Sequence, residues 1–142
     1  MAAMPQRHPV HYQFLAVGVG AALGSLLRWG LALAFNQPGA PLPLGTLAAN
    51  GLGGFLVGVA IALFEHHDDL PPALRLFSIT GFLGGLTTFS TFSGESVQAL
   101  MGANPGAGLL EILVHLAGSL LFTAAGIALV NRWLRPSRAS AR

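Results

Sequence analysis

Long apolar stretches alternate along this chain with short segments rich in proline, glycine and polar residues. A helix needs about 20 apolar residues to cross the hydrocarbon layer of a bilayer. Four stretches reach that length, over residues 14–35, 42–64, 74–101 and 109–134. The connections "NQPGAPLP", "EHHDDLPP" and "GANPGAG" carry the residues that punctuate helices, and they leave no room for a further domain. The pattern predicts an all-α membrane protein with four transmembrane helices. They form one domain, 14–134, between tails 1–13 and 135–142. The first stretch is long and no convincing small-residue cleavage site follows it, so it reads as a retained helix and not a signal peptide.

Within the third stretch the pattern falters. "GFLGGLTTFSTFSG", Gly81 to Gly94, holds four glycines, five hydroxyls and three phenylalanines. Glycine and a threonine run make a poor continuous helix, so a break is expected here. Backbone carbonyls freed by a break are tolerated at membrane depth only when buried in protein or facing a cavity. Such carbonyls coordinate cations in the broken helices of transporters. The hydroxyls of Thr87, Thr88, Ser90, Thr91 and Ser93 donate hydrogen bonds, which suits an anion. Phe89 and Phe92, three apart, project from nearly one face. Their ring edges carry partial positive charge, although the same spacing also describes ordinary core or lipid-facing aromatics.

Other polar positions fall in register. Asn50 shares a stripe with Gly54 and Gly58, and it serves either an interhelical hydrogen bond or a site. His115, Ser119 and Thr123 repeat every four residues, a polar track about 12 Å long on one helix face. Gly20 with Gly24, and Gly81 with Gly85, allow close helix packing in lipid. Arg28 reads as a snorkelling anchor or as the partner of a helix end. Glu95 caps a helix, sits in a vestibule or meets a permeating ion. "EHHDD" (Glu65 to Asp69) reads as an exposed acidic loop, and His8 and His11 as terminal or interfacial residues.

Composition sharpens the class. Of the 142 residues 53% are hydrophobic and 8% charged, against roughly 25% charged in a soluble domain. With a mean hydropathy of +0.65, the chain is expected in the cell membrane as a multi-pass protein, in contact with lipid. The absence of cysteine excludes disulfides, thiolate catalysis and cysteine metal sites. All seven basic residues are arginine, and on so apolar a chain they face lipid phosphates, not nucleic acid. Four spans put both termini and "EHHDDLPP" on one side, with Arg7, Arg75, Arg132, Arg135, Arg138 and Arg142; Arg28 alone lies toward the other. Arginine excess marks the cytoplasmic face, so the termini are expected inside.

"GTLAANGLGGFLVG" (Gly45 to Gly58) followed by "GFLGGLTTFSTFSGE" (Gly81 to Glu95) closely resembles the fluoride channel family, called Fluc or CrcB. "GAALGSLLRW" (Gly20 to Trp29) is similar to that family's first-helix signature, with Trp29 where tyrosine is usual. The resemblance spans about residues 14–134, most specific in the third helix and loosest in the fourth. It implies a passive fluoride-selective channel, a dimer of antiparallel (dual-topology) subunits with two pores, and no enzymatic activity. On that resemblance Asn50 lines the pore and Phe89 and Phe92 present ring edges to fluoride. Ser119 and Thr123 belong to the polar track, with Thr88 and Thr91 as additional contacts. A structural sodium ion is implied at the dimer centre, on the backbone carbonyls of Gly84 and Thr87 of both subunits.

Two features depart from the family. His115 stands where it has a tyrosine, placing a protonatable ring in the track. The arginines divide six to one, whereas a dual-topology homodimer suits an even distribution. Either the C-terminal arginines act too late to set orientation, or the chain pairs as a heterodimer with an inverted homologue. Bottom-up, neutral donors spread along a path suit an anion that must leave as well as enter. The main alternative, a small four-helix proton-coupled exporter, calls for a carboxylate mid-span, whereas Glu95 and Glu111 lie near helix ends. A serine hydrolase is disfavoured, since His115 and Ser119 sit on one helix with no nucleophile motif around them.

Overall fold

The computed structural model describes residues 10–67 and 69–134. Arg7, His8, Asp68, Arg135, Arg138 and Arg142 lie outside the described residues. Every regular element described is helical: α1 (Val10–Phe35), α2 (Leu44–His66), α3 in three consecutive pieces, α4 (Phe89–Met101) and α5 (Pro105–Trp133). The pieces of α3 are Pro72–Arg75 and Gly84–Leu86, with α-helical turns, and Leu76–Leu83 between them, wound in wider π-helical turns. Three helices, α1, α2 and α5, are long and apolar enough to cross a membrane. The stretch expected as a fourth span, 74–101, is not one helix; it is bent, and divides at Thr87 and Thr88 into α3 and α4.

Helix starts follow caps more than hydropathy. Asn104 accepts a hydrogen bond from Ala107 N at 3.3 Å, with Pro105 in the first turn, so α5 begins a turn before its apolar run. The residue preceding α2 is Pro43, which has no side chain able to cap. Asn36, just past the end of α1, does so instead: its Oδ1 accepts from Gly45 N at 2.7 Å and Thr46 N at 3.3 Å. One side chain thereby joins the end of α1 to the start of α2.

Packing depends on small residues. α1 lies on α3, α2 on α5, and α4 on α5. Among the described residues the fully buried apolar side chains are few and modest in size, Ala49, Ala62 and Leu86. Large apolar side chains such as Phe14, Leu33, Leu120 and Leu121 are exposed instead. Lipid tails are as apolar as leucine, so helices associate through close backbone approach and not through burial of large side chains. At Gly24 a methyl group would strike the Phe82 carbonyl oxygen, and at Gly58 that of Thr123; both obstacles are backbone.

Gly24→Ala or Gly58→Ala should therefore each lower stability by about 1–3 kcal/mol, the usual cost of overpacking. A methyl group at Gly18 would meet nothing within 4 Å, so Gly18→Ala should leave stability level or slightly raise it. Thermal unfolding in detergent of the three variants beside the parent chain checks the contrast.

Candidate functional site

The site is built on the divide between α3 and α4. Thr87 (φ −80°, ψ 152°) and Thr88 (φ −149°, ψ 121°) are extended, so the helical ladder stops and restarts. Each interrupted group needs a partner at this depth. Asn50 takes two of them, donating from Nδ2 to Thr88 O at 3.0 Å and accepting from Thr88 N at 2.8 Å. Thr88 caps α4, its Oγ1 accepting from Thr91 N at 3.1 Å. Thr87 N and Oγ1 both donate to Leu83 O, at 3.0 and 2.9 Å. Arg28 Nε donates to Gly85 O at 3.1 Å, and Ser25 Oγ reaches the same oxygen at 3.5 Å. Of the two readings open to Arg28, the structure selects the partner of a helix end.

The break costs the carbonyls of Gly84, Gly85, Leu86 and Thr87 their helical donors, and Gly85 O is taken up by Arg28. The ordinary partner of Gly84 O is Thr88 N, which donates to Asn50; that of Thr87 O is Thr91 N, which donates to Thr88 Oγ1. Gly84 is exposed.

Beside the divide lies a cavity of about 250 Å³, walled by Asn50, Thr88, Phe89, Phe92, His115 and Ser119, with Gly54, Thr87 and Leu116. It brings together residues from α2, α4, α5 and the α3–α4 link. The two phenylalanines differ sharply: Phe89 is 78% exposed and Phe92 only 8%. Their ring centroids are 5.9 Å apart at 59°, and Phe92 also lies 4.7 Å from the His115 ring. His115 is 3% exposed; its Nδ1 is 3.2 Å from Glu111 O and its Nε2 has no protein partner among the described residues. A larger groove of about 660 Å³ between α2 and α5 is lined by Leu47, Leu52, Phe55, Val114 and Phe122 and, save for Ser119, offers no side-chain donor.

Two sequence candidates stand apart from the cavity wall. The Thr91 hydroxyl bonds with Thr88 Oγ1 at 3.1 Å. Thr123 directs its hydroxyl to Gly54 O at 3.1 Å and Ser119 O at 2.8 Å, pinning α2 to α5. Beyond the cavity, toward the α1–α2 and α4–α5 loops, lies a polar cluster that residue spacing alone does not single out. Glu95 Oε1 accepts from Thr46 Oγ1 at 2.9 Å and Asn36 Nδ2 at 3.3 Å. Ser96 donates to Glu111 Oε1 at 3.1 Å, both residues being buried. Both carboxylates border a recess of about 500 Å³. One signal was present: Thr46 stands four residues before Asn50, one step further along the same stripe.

Asn50→Leu should strand Thr88 N and O, each buried unpaired group costing about 1–3 kcal/mol. Hydrogen exchange across residues 84–92 should accelerate by roughly tenfold or more. Asn50→Asp keeps the acceptor for Thr88 N and should accelerate exchange less.

A model of the family described as "CrcB-like protein, Camphor Resistance (CrcB)" matches residues 15–127. The chain is 59% identical to a Cupriavidus necator protein over 114 residues, 80% of this chain and 90% of the relative. It is 57% identical to one from Cupriavidus pinatubonensis, with the same coverage of both chains. To one from Nitrosospira multiformis it is 53% identical over 123 residues, 87% of this chain and 95% of the relative. All three relatives bear the name "Fluoride-specific ion channel FluC", that of a channel and not of an enzyme. With these matches over most of its length and three helices suited to crossing a bilayer, the chain is an integral membrane protein and belongs to the CrcB family.

Proposed function

We propose that this chain is a passive, fluoride-selective channel that exports cytoplasmic fluoride across the cell membrane and so reduces its toxicity. The observation that carries the reading is the cavity at the divided helix, walled by neutral donors and phenyl rings and by no arginine. Fluoride is small and holds its water tightly, so a pore must replace hydration with donors. The Asn50 amide carries a second hydrogen beside the one it gives to Thr88 O. With it act the Ser119 hydroxyl and the edges of Phe89 and Phe92, while the Thr88 hydroxyl, which gives its hydrogen to Thr91 Oγ1, fixes the start of α4 at the wall. Thr91 and Thr123 serve the same path by holding Thr88 and the α2–α5 contact. α4 begins at the cavity wall, so the positive end of its dipole lies beside the anion. Neutral donors hold the ion weakly enough to let it go.

The functional unit in this reading is an antiparallel homodimer whose four spans per subunit count α3 and α4 as one crossing. In support, Phe89 is an exposed aromatic set at the edge of a polar cavity, a place a second subunit would cover. The residues also fit a structural sodium ion, since the backbone oxygens of Gly84 and Thr87 are among those that lose their helical donors at the break. Those carbonyls, from both subunits, would hold it, and when bound it supplies fixed positive potential beside the path. The arginine asymmetry is assigned to C-terminal arginines acting after orientation is set, with pairing to an inverted homologue as the other outcome. Glu95 and Glu111 both lie toward the loop end of the bundle, which disfavours the proton-coupled exporter.

The purified chain alone, in liposomes with a fluoride electrode outside, should release trapped fluoride while retaining chloride. Absence of efflux from the single gene product, restored by an inverted homologue, would reassign it to a heterodimer. Phe89→Ile with Phe92→Ile should slow efflux roughly tenfold, as two edge contacts of about 0.5–1.5 kcal/mol each are lost. Unchanged efflux would remove the rings from the pore. Sodium should raise the unfolding temperature in a concentration-dependent way that N-methylglucamine does not reproduce.

A further inference from the structure

We propose that His115 makes the pore a joint site for an anion and a proton, because the ring gains a second donor only when it takes up a proton. The proposal rests on the anion-channel reading above and concerns the regulation of that same site. It starts from the partner of Nδ1, which is the carbonyl oxygen of Glu111 at 3.2 Å. A carbonyl only accepts, so Nδ1 carries the hydrogen. In the neutral ring Nε2 is then a bare lone pair, on the side of the ring turned away from its own helix. That nitrogen is buried and meets no protein donor among the described residues.

A lone pair beside the path repels an anion. Protonation from water admitted to the cavity that His115 walls reverses this: one proton leaves hydronium, bonds to Nε2, and the imidazolium presents an N–H and a full positive charge. The neutral ring thus opposes anion occupancy and the charged ring favours it. By linkage, the anion promotes protonation by the same factor as the proton promotes anion binding. A tyrosine hydroxyl at this position would donate irrespective of pH between about 5.5 and about 8.

Among the described residues the packed elements place no second cation against the ring. On its own helix Glu111 is one turn away and 1% exposed. From α4, Glu95 lies near Glu111 on the same recess, and the Phe92 ring packs against the imidazole with centroids 4.7 Å apart. From α2 come Asn50 and Thr46, both uncharged. The Arg28 head on α1 is held by Gly85 O. His115 is therefore a specificity-determining position, admitting fluoride most readily when the aqueous phase it senses is acidic. That is also when a weak acid enters a cell in its neutral form and leaves its anion trapped.

The test uses the full chain in liposomes, as the parent, His115→Tyr and His115→Phe, between about pH 5.5 and about pH 8. Protein-free vesicles supply the correction for neutral acid leak. Efflux through the parent should fall as pH rises, by no more than about tenfold per pH unit, the limit for one coupled proton. His115→Tyr should conduct with no such slope. A flat parent profile, or one that His115→Tyr shares, overturns the proposal. Fluoride efflux missing from parent and variant alike at every pH instead counts against the channel reading, and a binding measurement then decides the proposal separately. In weakly buffered detergent, sodium fluoride should draw up to one proton per chain from solution, and sodium gluconate none. The uptake should vanish in His115→Phe. Fluoride addition without uptake by the parent means that water alone satisfies Nε2, which also overturns the proposal.

Discussion

Two hydrogen bonds between the Asn50 amide and the Thr88 backbone hold the rest of the site in place. An extended residue in a membrane-depth helix presents an N–H and a C=O that lipid cannot satisfy. A primary amide is the side chain that answers both at once, with a donor and an acceptor at neighbouring atoms. With Thr88 fixed, its hydroxyl is in position to cap α4 and its amide is withdrawn from Gly84 O. The cap draws Thr91 N away from Thr87 O. A single side chain on α2 thus determines where α4 starts, how Phe89 and Phe92 are presented and which carbonyls of the link stay open.

The surrounding bundle meets a second constraint, that of solubility in lipid. Leucines and phenylalanines on the outside cost nothing there, so they do not drive helices together. Close approach does: α1 meets α3 at glycines whose methyl counterparts would collide with backbone, and α2 meets α5 in the same manner. Tight backbone contact leaves little interior volume, and the polar cavity sits where the break between α3 and α4 opens a gap beside α5. The wider turns of Leu76–Leu83 belong to the same distortion, a register change in a helix about to end.

The helical class and the location of the break were legible in the chain, because both rest on local chemistry: apolar length in one case, glycines followed by a threonine run in the other. Asn50 and the His115–Ser119 face were legible as polar positions in register on apolar helices. Their partners were not, since nothing in residue order says that Asn50 would clasp a backbone 38 residues away. Thr91 and Thr123 illustrate the same limit. A hydroxyl on a helix face looks available, and only the fold shows Thr91 Oγ1 accepting from Thr88 and Thr123 Oγ1 donating to Gly54 and Ser119. Asn36, Thr46 and Glu95 form a cluster because a proline-rich loop folds back, an event to which apolar periodicity is blind. Nor did hydropathy mark the helix starts, which Asn104 and Asn36 set through caps.

The Asn36 cap is also a local one. It joins residues nine and ten positions apart, whereas the Asn50–Thr88 clasp spans 38 and the Arg28–Gly85 bond 57. The α1–α2 corner is thus closed by a local contact, whereas the clasp and the Arg28 bond need elements distant in the chain. The polar wall assembles from α2, the α3–α4 link and α5, and it is complete only when the last of them docks. A chain whose α5 has not docked accordingly lacks His115 and Ser119 from the cavity wall.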